Sequence, residues 1–247
     1  MFFLPSYVFK FVILAYRNQS LIVPLKLLFH FLISFLLLLL SGDSTVPYVS
    51  FAFFLYYMSS LGEVSIEILY QRRMFHFSPV TIGYFGSLSG VMQCLSMLAL
   101  PPLYHLCFNR TLLDIYWIEV GLWCKAIYFV LFSSAQHGIQ LFYILPILIL
   151  CGPIVPRTRS YLSKAVKKGQ QTELFVAVAA LEAMGASIGP TLTFGYAHTV
   201  SYYPGLMFQV IAGICVCSAL VILYVRTRIL SQSYIAISDT MKDSDLN

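Results

Sequence analysis

Between residues 138 and 197 the chain reads GIQLFYILPILILCGPIVP (138–156), RTRSYLSKAVKK (157–168), GQQT (169–172) and ELFVAVAALEAMGASIGPTLTFGYA (173–197). Two long apolar runs therefore enclose one short basic segment, which holds five of the chain's fifteen Lys and Arg residues. A helix crosses a hydrocarbon core of roughly 30 Å with about 20 apolar residues. The stretch predicts two membrane-spanning helices joined by a basic loop.

The composition of the whole chain agrees with a lipid environment. Of its 247 residues 59% are hydrophobic and only 10% are charged, whereas soluble proteins carry about 25% charged residues. Ionic groups this sparse cannot cover a surface that faces water, so we expect an integral membrane protein surrounded by the lipid bilayer. The net charge of +5 does not indicate a nucleic-acid partner, because the cations lie in short segments between apolar runs.

Six apolar segments have the length of a membrane span. Short connections with turn-forming residues separate them, so consecutive helices are expected to be antiparallel neighbours. An atypical hydrophobic N-terminal region (1–45) contains a seventh, extra helix at 20–42, and the polar tail (227–247) is expected to be disordered in the cytoplasm. The six segments are 48–70, 79–104, 115–134, 139–156, 173–197 and 204–226.

The distribution of Lys and Arg predicts the orientation of these helices, because short loops rich in Lys and Arg stay on the cytoplasmic side. The basic segment 157–168, FNR at 108–110 and RTR at 226–228 all fall on one side of the bundle, which is therefore expected to be cytoplasmic. The Arg pair at 72–73 is the exception. Three residues of the basic segment are expected to act only as markers of topology, namely Arg157, Lys167 and Lys168.

Ionisable side chains inside the apolar segments are candidates for a functional site, because at membrane depth such groups usually face a cavity or a partner. Glu63 and Glu182 lie near the middle of their segments and are expected to line a polar cavity. For Glu67 and Lys125 a structural role, at the membrane boundary or in an ion pair, agrees with the sequence as well as a functional role does. Glu119 lies only a few residues into its segment, which favours the structural alternative.

The sequence offers no sign of catalytic or metal chemistry. It contains no GxSxG, HExxH or P-loop motif, so an enzyme is not expected. The six cysteines form no CxxC pair and no metal-type spacing with histidine. We expect them to be small buried hydrophobic residues, and we predict neither a cofactor nor a metal site.

Several short motifs occur in an order that is typical of one transporter family. They are Pro156, Arg159, Leu-Ser-Lys at 162–164 and Leu-Phe at 174–175 within PIVPRTRSYLSKAVKKGQQTELFVAVAALEAMGASIGP (153–190), Leu-Tyr at 69–70 and Ile-Gly-Tyr at 82–84 within EVSIEILYQRRMFHFSPVTIGYFGS (63–87), and YYPG and IAG at 202–205 and 211–213. In this order they resemble the C-terminal half of the proton-coupled folate transporter and thymic stromal cotransporter family of the major facilitator superfamily. The resemblance covers about residues 46–226.

The resemblance implies an all-α membrane protein with the six-helix C-terminal half of a major facilitator fold (46–226). Such secondary carriers move a small organic solute by alternating access, as two six-helix halves rock about a site between them. Arg159 matches a functional arginine at the end of the family's tenth helix, and Glu119 resembles an acid of the ninth. Together with Glu63 and Glu182, these two residues form the expected pathway for solute and protons.

The chain departs from the family pattern in two motifs and in length. The family's Glu-Gln-Gly is replaced by KKGQQTE (167–173), and Ser60 stands where the folate transporter has a histidine that bears on proton coupling. Proton coupling therefore stays open, and folate is not the expected solute. A full carrier has twelve helices, so we expect a half-length form in the plasma or endolysosomal membrane, with a complementary N-terminal half as a further partner. The alternative is a non-transporting truncated protein that associates with a full-length carrier.

Overall fold

A computed structural model describes residues 45–104, 110–166, 169 and 171–244 of the chain. These residues form helices and turns, and no strand occurs among them, which confirms the all-α class. Short 3-10 turns lie at Leu145–Ile147 and Gly189–Thr191. The helices are α1 (Val46–Met74), α2 (Pro79–Tyr104), α3 (Arg110–Ser134), α4 (Gly138–Ile144), α5 (Leu148–Cys151), α6 (Ile154–Ala165), α7 (Gln171–Ile188), α8 (Leu192–Thr199) and α9 (Leu206–Ser244).

Five of the helical rods are long and apolar enough to cross a membrane. Two of them are interrupted: α4, α5 and α6 together form the rod Gly138–Ala165, and α7 continues into α8. The chain is therefore an integral membrane protein, as its composition predicts. The sixth predicted segment is the helix α2. The five spans are Val46–Met74, Asp114–Ser134, Gly138–Ala165, Leu174–Thr199 and Leu206–Gln232.

The interruptions occur at proline and glycine residues. Pro146 lies in the first 3-10 turn, Gly152 and Pro153 separate α5 from α6, and Gly189 opens the second 3-10 turn. Proline has no backbone N–H to donate within a helix, and in membrane helices neighbouring groups can satisfy the carbonyls that this leaves free. The rods can therefore change direction inside the bundle without ending.

Two helices extend beyond the ends predicted from hydrophobicity. The expected basic loop is helical up to Ala165, because α6 still buries Thr158, Tyr161 and Leu162 against the bundle after the apolar run has ended. The expected disorder of the tail from residue 227 onward is also wrong up to Ser244, because α9 continues through a stretch free of glycine and proline. The predicted extra helix at 20–42 and the rest of residues 1–44 lie outside the described residues.

An aromatic cluster joins three helices near the end of the bundle opposite to the basic segment. The ring of Phe208 in α9 lies 4.7 Å from that of Phe132 in α3 and 5.0 Å from that of Tyr70 in α1, measured between centroids. All three residues are buried. Large apolar side chains also cover the outside of the bundle, for example Val64, Ile68, Val80, Ile127 and Phe194.

The cysteines divide between the inside and the outside of the bundle. Cys151 and Cys215 are buried, as expected, whereas Cys94 and Cys217 are exposed. The expectation was wrong for the latter two because an apolar helix in lipid has an outward face that is as hydrophobic as its inward face. Cys107 lies outside the described residues.

Glycine allows α1 and the rod formed by α7 and α8 to approach closely. A Cβ atom on Gly189 would lie 2.9 Å from both the Cβ atom of Leu61 and the carbonyl oxygen of Met58. One on Gly185 would lie 3.3 Å from the backbone nitrogen of Met58. Gly185 and Gly189 therefore form a glycine seam against α1.

Substituting Gly189→Ala is expected to lower the stability of the chain by about 1–3 kcal/mol, because the added methyl group meets backbone atoms that cannot rotate away. Thermal unfolding in detergent measures the effect. The matched control is Gly213→Ala in α9, where a Cβ atom has nothing within 4 Å. Equal unfolding temperatures for the two variants would contradict the proposed seam.

Candidate functional site

Helix α3 contributes one ionic residue at each of three depths. Asp114 lies near its beginning, and Glu119 and Lys125 lie about 7.5 Å and about 16 Å further along the helix axis at 1.5 Å per residue. Each of these side chains pairs with a different neighbouring helix. The helix thereby connects three ionic sites, which run from the side of the basic segment to the middle of the bundle.

The deepest site is an ion pair between Lys125 of α3 and Glu63 of α1. The Lys125 Nζ atom lies 2.9 Å from Oε1 and 2.8 Å from Oε2 of Glu63. Both residues are buried, and the ammonium group also lies 4.9 Å from the ring centroids of Tyr128 and Phe129. Contacts with aromatic faces stabilise a cation, so the lysine is held by one carboxylate and two rings.

A second carboxylate lies on the same face of α1, one helical turn from Glu63. The Gln71 side chain donates a hydrogen bond from Nε2 to Oε1 of Glu67 at 3.2 Å. Gln71 is only 1% exposed, and its Oε1 atom is buried without a hydrogen-bond partner among the described residues. Glu63, Glu67 and Gln71 thus form a polar line along α1 that starts at the Lys125 ion pair.

The second level of α3 carries an ion pair with the last helix. Nη1 of Arg226 lies 3.0 Å from Oε2 of Glu119, and the guanidinium group lies 5.9 Å from the ring centroid of Tyr116. Glu119 is buried. The geometry makes Glu119 a link between α3 and α9.

The four predicted site residues take part in three ion pairs. The pair of Arg159 and Glu182 is the most accessible of these. Arg159 of α6 donates from Nη2 and, at 3.2 Å, from Nε to Oε1 of Glu182 in α7. The side chain of Arg159 is 46% exposed and that of Glu182 is 18% exposed. This guanidinium group can therefore be reached from outside the bundle while its acidic partner is in place.

A third level, near the beginning of α3, was not predicted. Asp114 is fully buried and accepts hydrogen bonds from Nη1 of Arg157 and from Nζ of Lys164, each at 2.6 Å. Arg157 is therefore more than a marker of topology, because it ties α6 to α3. Lys167 and Lys168 lie outside the described residues. The signal in the sequence was Asp114 itself, an acid at the start of an apolar segment and close to the predicted cationic side.

The structure distributes the four predicted site residues over three places. It brings Arg159 and Glu182 together, whereas Glu63 pairs with Lys125 and Glu119 pairs with Arg226. For Lys125 the structure shows an ion pair with Glu63, one of the arrangements that the structural alternative included. Sequence spacing could not reveal these partners, because each pair joins two different helices.

Comparison with known proteins yields relatives of one kind, and no protein-family model matches the chain. The relatives from Mus musculus, Gallus gallus and Homo sapiens are each named a lysosomal proton-coupled steroid conjugate and bile acid symporter. The mouse protein is 27% identical over 180 residues, which are 72% of this chain and 38% of the relative. The chicken protein is 28% identical over 168 residues (67% and 35%), and the human protein is 28% identical over 176 residues (69% and 36%).

These matches confirm the resemblance to the folate transporter and thymic stromal cotransporter family that the motifs indicated. They also fit an all-α bundle with membrane-spanning helices. The chain spans little more than a third of the length of the relatives it matches.

We expect the loss of one partner of the Lys125 and Glu63 ion pair to lower the stability of the chain more than the loss of both partners does. Removing one partner with Lys125→Met or Glu63→Leu leaves a buried charge uncompensated, and we expect each to cost about 3–5 kcal/mol. Removing both is expected to restore most of the loss, because neither charge of this pair is then left without its partner. Thermal unfolding of the two single variants and the double variant measures the coupling. Additive losses would show that the two charges do not stabilise each other.

Proposed function

We propose that this chain forms the C-terminal six-helix half of a secondary carrier for a small amphipathic organic anion in the endolysosomal membrane. The names of the relatives motivate the class of solute, since bile acids combine a carboxylate with a large apolar body. The proposed mechanism is alternating access coupled to protons. Solute binds between this half and a second six-helix half, as in other carriers with paired repeats.

The accessible ion pair of Arg159 and Glu182 is the observation that carries this proposal. A guanidinium group forms two parallel hydrogen bonds with a carboxylate, which gives both strength and orientation. A solute carboxylate or sulfate can take the place of Glu182 on Arg159, because the side chain of Arg159 is partly exposed. Glu182 then keeps the arginine charge compensated whenever no solute is bound.

Glu119 and Glu63 have supporting parts in this proposal. Each is buried in an ion pair with a neighbouring helix, so direct contact with the solute is not assigned to them. They fix α3 relative to α1 and α9 and so position the framework in which Arg159 and Glu182 meet. The proton pathway is assigned to the membrane interior around Glu63.

Arg159→Gln is expected to lower uptake of a radiolabelled bile acid at least about tenfold, because a charge-assisted hydrogen bond contributes about 1.5–3 kcal/mol. Uptake is measured in proteoliposomes that contain the full chain, with the inside and outside pH controlled. Arg72→Gln is the matched control: it removes an exposed arginine at the opposite end of the bundle, and uptake is expected to be unchanged.

The same experiment tests the need for a second half. One set of proteoliposomes contains this chain alone, and another also contains the separately expressed N-terminal half of a relative. Uptake only in the second set would support a site shared by two halves. If neither set takes up bile acid or steroid conjugate, the proposed transport function is wrong.

A further inference from the structure

We propose that Glu67 is a proton-binding residue, and that with Glu63 and Lys125 it forms a cluster inside the bundle that takes up one proton. Glu67 lies outside the site assigned above. The proposal rests on the proposed transport function only for its final step, the coupling of the proton to solute movement. The positions of the three side chains and of Gln71 carry it.

The first observation is an imbalance of charge in the middle of the bundle. Two carboxylates, Glu63 and Glu67, share one face of α1 at a spacing of four residues, where side chains are neighbours. Among the described residues one cation, Lys125, accompanies them, and it lies within 2.9 Å of both oxygens of Glu63. The contacts of Lys125 therefore favour Glu63, and the negative charge of Glu67 is left largely without compensation in a membrane segment, where an isolated charge is costly.

The second observation is the unsatisfied amide of Gln71. This side chain is almost completely buried, and its Oε1 atom has no hydrogen-bond partner among the described residues, while its Nε2 atom donates to Glu67. A protonated carboxyl group has an O–H to donate, whereas an ionised one only accepts. Rotation of the amide by half a turn would present its oxygen to that O–H. Gln71 can thus serve both protonation states of Glu67.

Several charged and titratable groups around Glu67 influence its protonation. Glu63 on α1 and Lys125 on α3 interact with it electrostatically, and Tyr128 on α3 interacts with both carboxylates. Around Lys125 lie further groups, Tyr56 of α1, Cys151 of α5 and Cys215 of α9. On α7, which also packs against α1, the acid Glu182 is held by Arg159. Of the groups that surround Glu67 itself, Lys125 is the cation, and it is in direct contact with Glu63.

The position of Glu67 also indicates the side from which the proton arrives. It is half-buried rather than enclosed, and it lies about 10 Å from the end of α1 at Met74, counted at 1.5 Å per residue. Gln71 lies between Glu67 and that end. The proton therefore enters from the side opposite to the basic segment, which is the luminal side in the predicted orientation. It adds to a Glu67 carboxylate oxygen to give a carboxylic acid, and it leaves by the reverse step.

Infrared difference spectroscopy of the full chain in lipid nanodiscs tests the site without any transport measurement. Acidification from about pH 8 to about pH 5, a range in which physiological proton switches titrate, is expected to produce the C=O band of a protonated carboxylic acid. Glu67→Gln is expected to abolish this band. Glu182→Gln serves as the control and is expected to retain it, because the Glu182 carboxylate is paired with Arg159. A band that persists in Glu67→Gln overturns the proposal.

A second variant keeps the test decisive if Glu67→Gln does not fold. Gln71→Leu removes the amide but leaves the carboxyl group, so the band is expected to remain and to shift in frequency. An unshifted band would remove Gln71 from the site.

In proteoliposomes, Glu67→Gln is expected to exchange solute across the membrane but to lose accumulation driven by a pH gradient. If the wild type shows the band but transports nothing, the transport proposal fails and the proton site stands; if Glu67→Gln still accumulates solute, the coupling role is wrong.

Discussion

The absence of water from the hydrocarbon core is the constraint on which this structure depends. A charge inside the membrane has no solvent to compensate it and must be compensated by the protein. Helix α3 meets this requirement with Asp114, Glu119 and Lys125, which pair with three different helices. Hydrophobic association cannot choose between neighbours in lipid, because the lipid tails are as apolar as the side chains. The ion pairs and the close glycine contacts therefore decide which helices meet.

The ion pairs differ in exposure. This difference distinguishes the pair that holds two helices together from the pair that is proposed to bind the solute. Lys125 and Glu63 are enclosed by other side chains, so separating them would cost the full penalty of two buried charges. Arg159 and Glu182 join α6 to α7 closer to the surface of the bundle. In the proposed function a solute anion exchanges with this second pair, whose arginine is 46% exposed. The same type of interaction thus fixes one part of the bundle and leaves another part open to a ligand.

Within the described residues, hydrophobicity predicted the positions of the five spans and of α2, because a membrane span needs only length and apolar side chains. It could not predict where α6 and α9 end, since α6 buries Thr158, Tyr161 and Leu162 after its apolar run has ended, and α9 continues to Ser244. The sequence also indicated that Glu63, Glu119 and Glu182 need compensation, yet their partners lie on other helices. Pairing across helices depends on the rotation of each rod, which apolar segments of nearly uniform hydrophobicity do not specify.

The sign of the surplus charge differs between the ionic sites. This difference supports the choice of the site that is proposed to bind protons. Asp114 has two cationic partners, and its site lies at the end of the bundle with the basic segment, where a surplus of positive charge faces lipid head groups that can compensate it. In the middle of the bundle the surplus has the opposite sign, with two carboxylates for Lys125. Glu67 lies about 10 Å from the end of α1 at 1.5 Å per residue, and in the proposed site an added proton neutralises it. In the proposed proton site this excess carboxylate is Glu67, and the polar line along α1 gives the site a route to one side of the membrane.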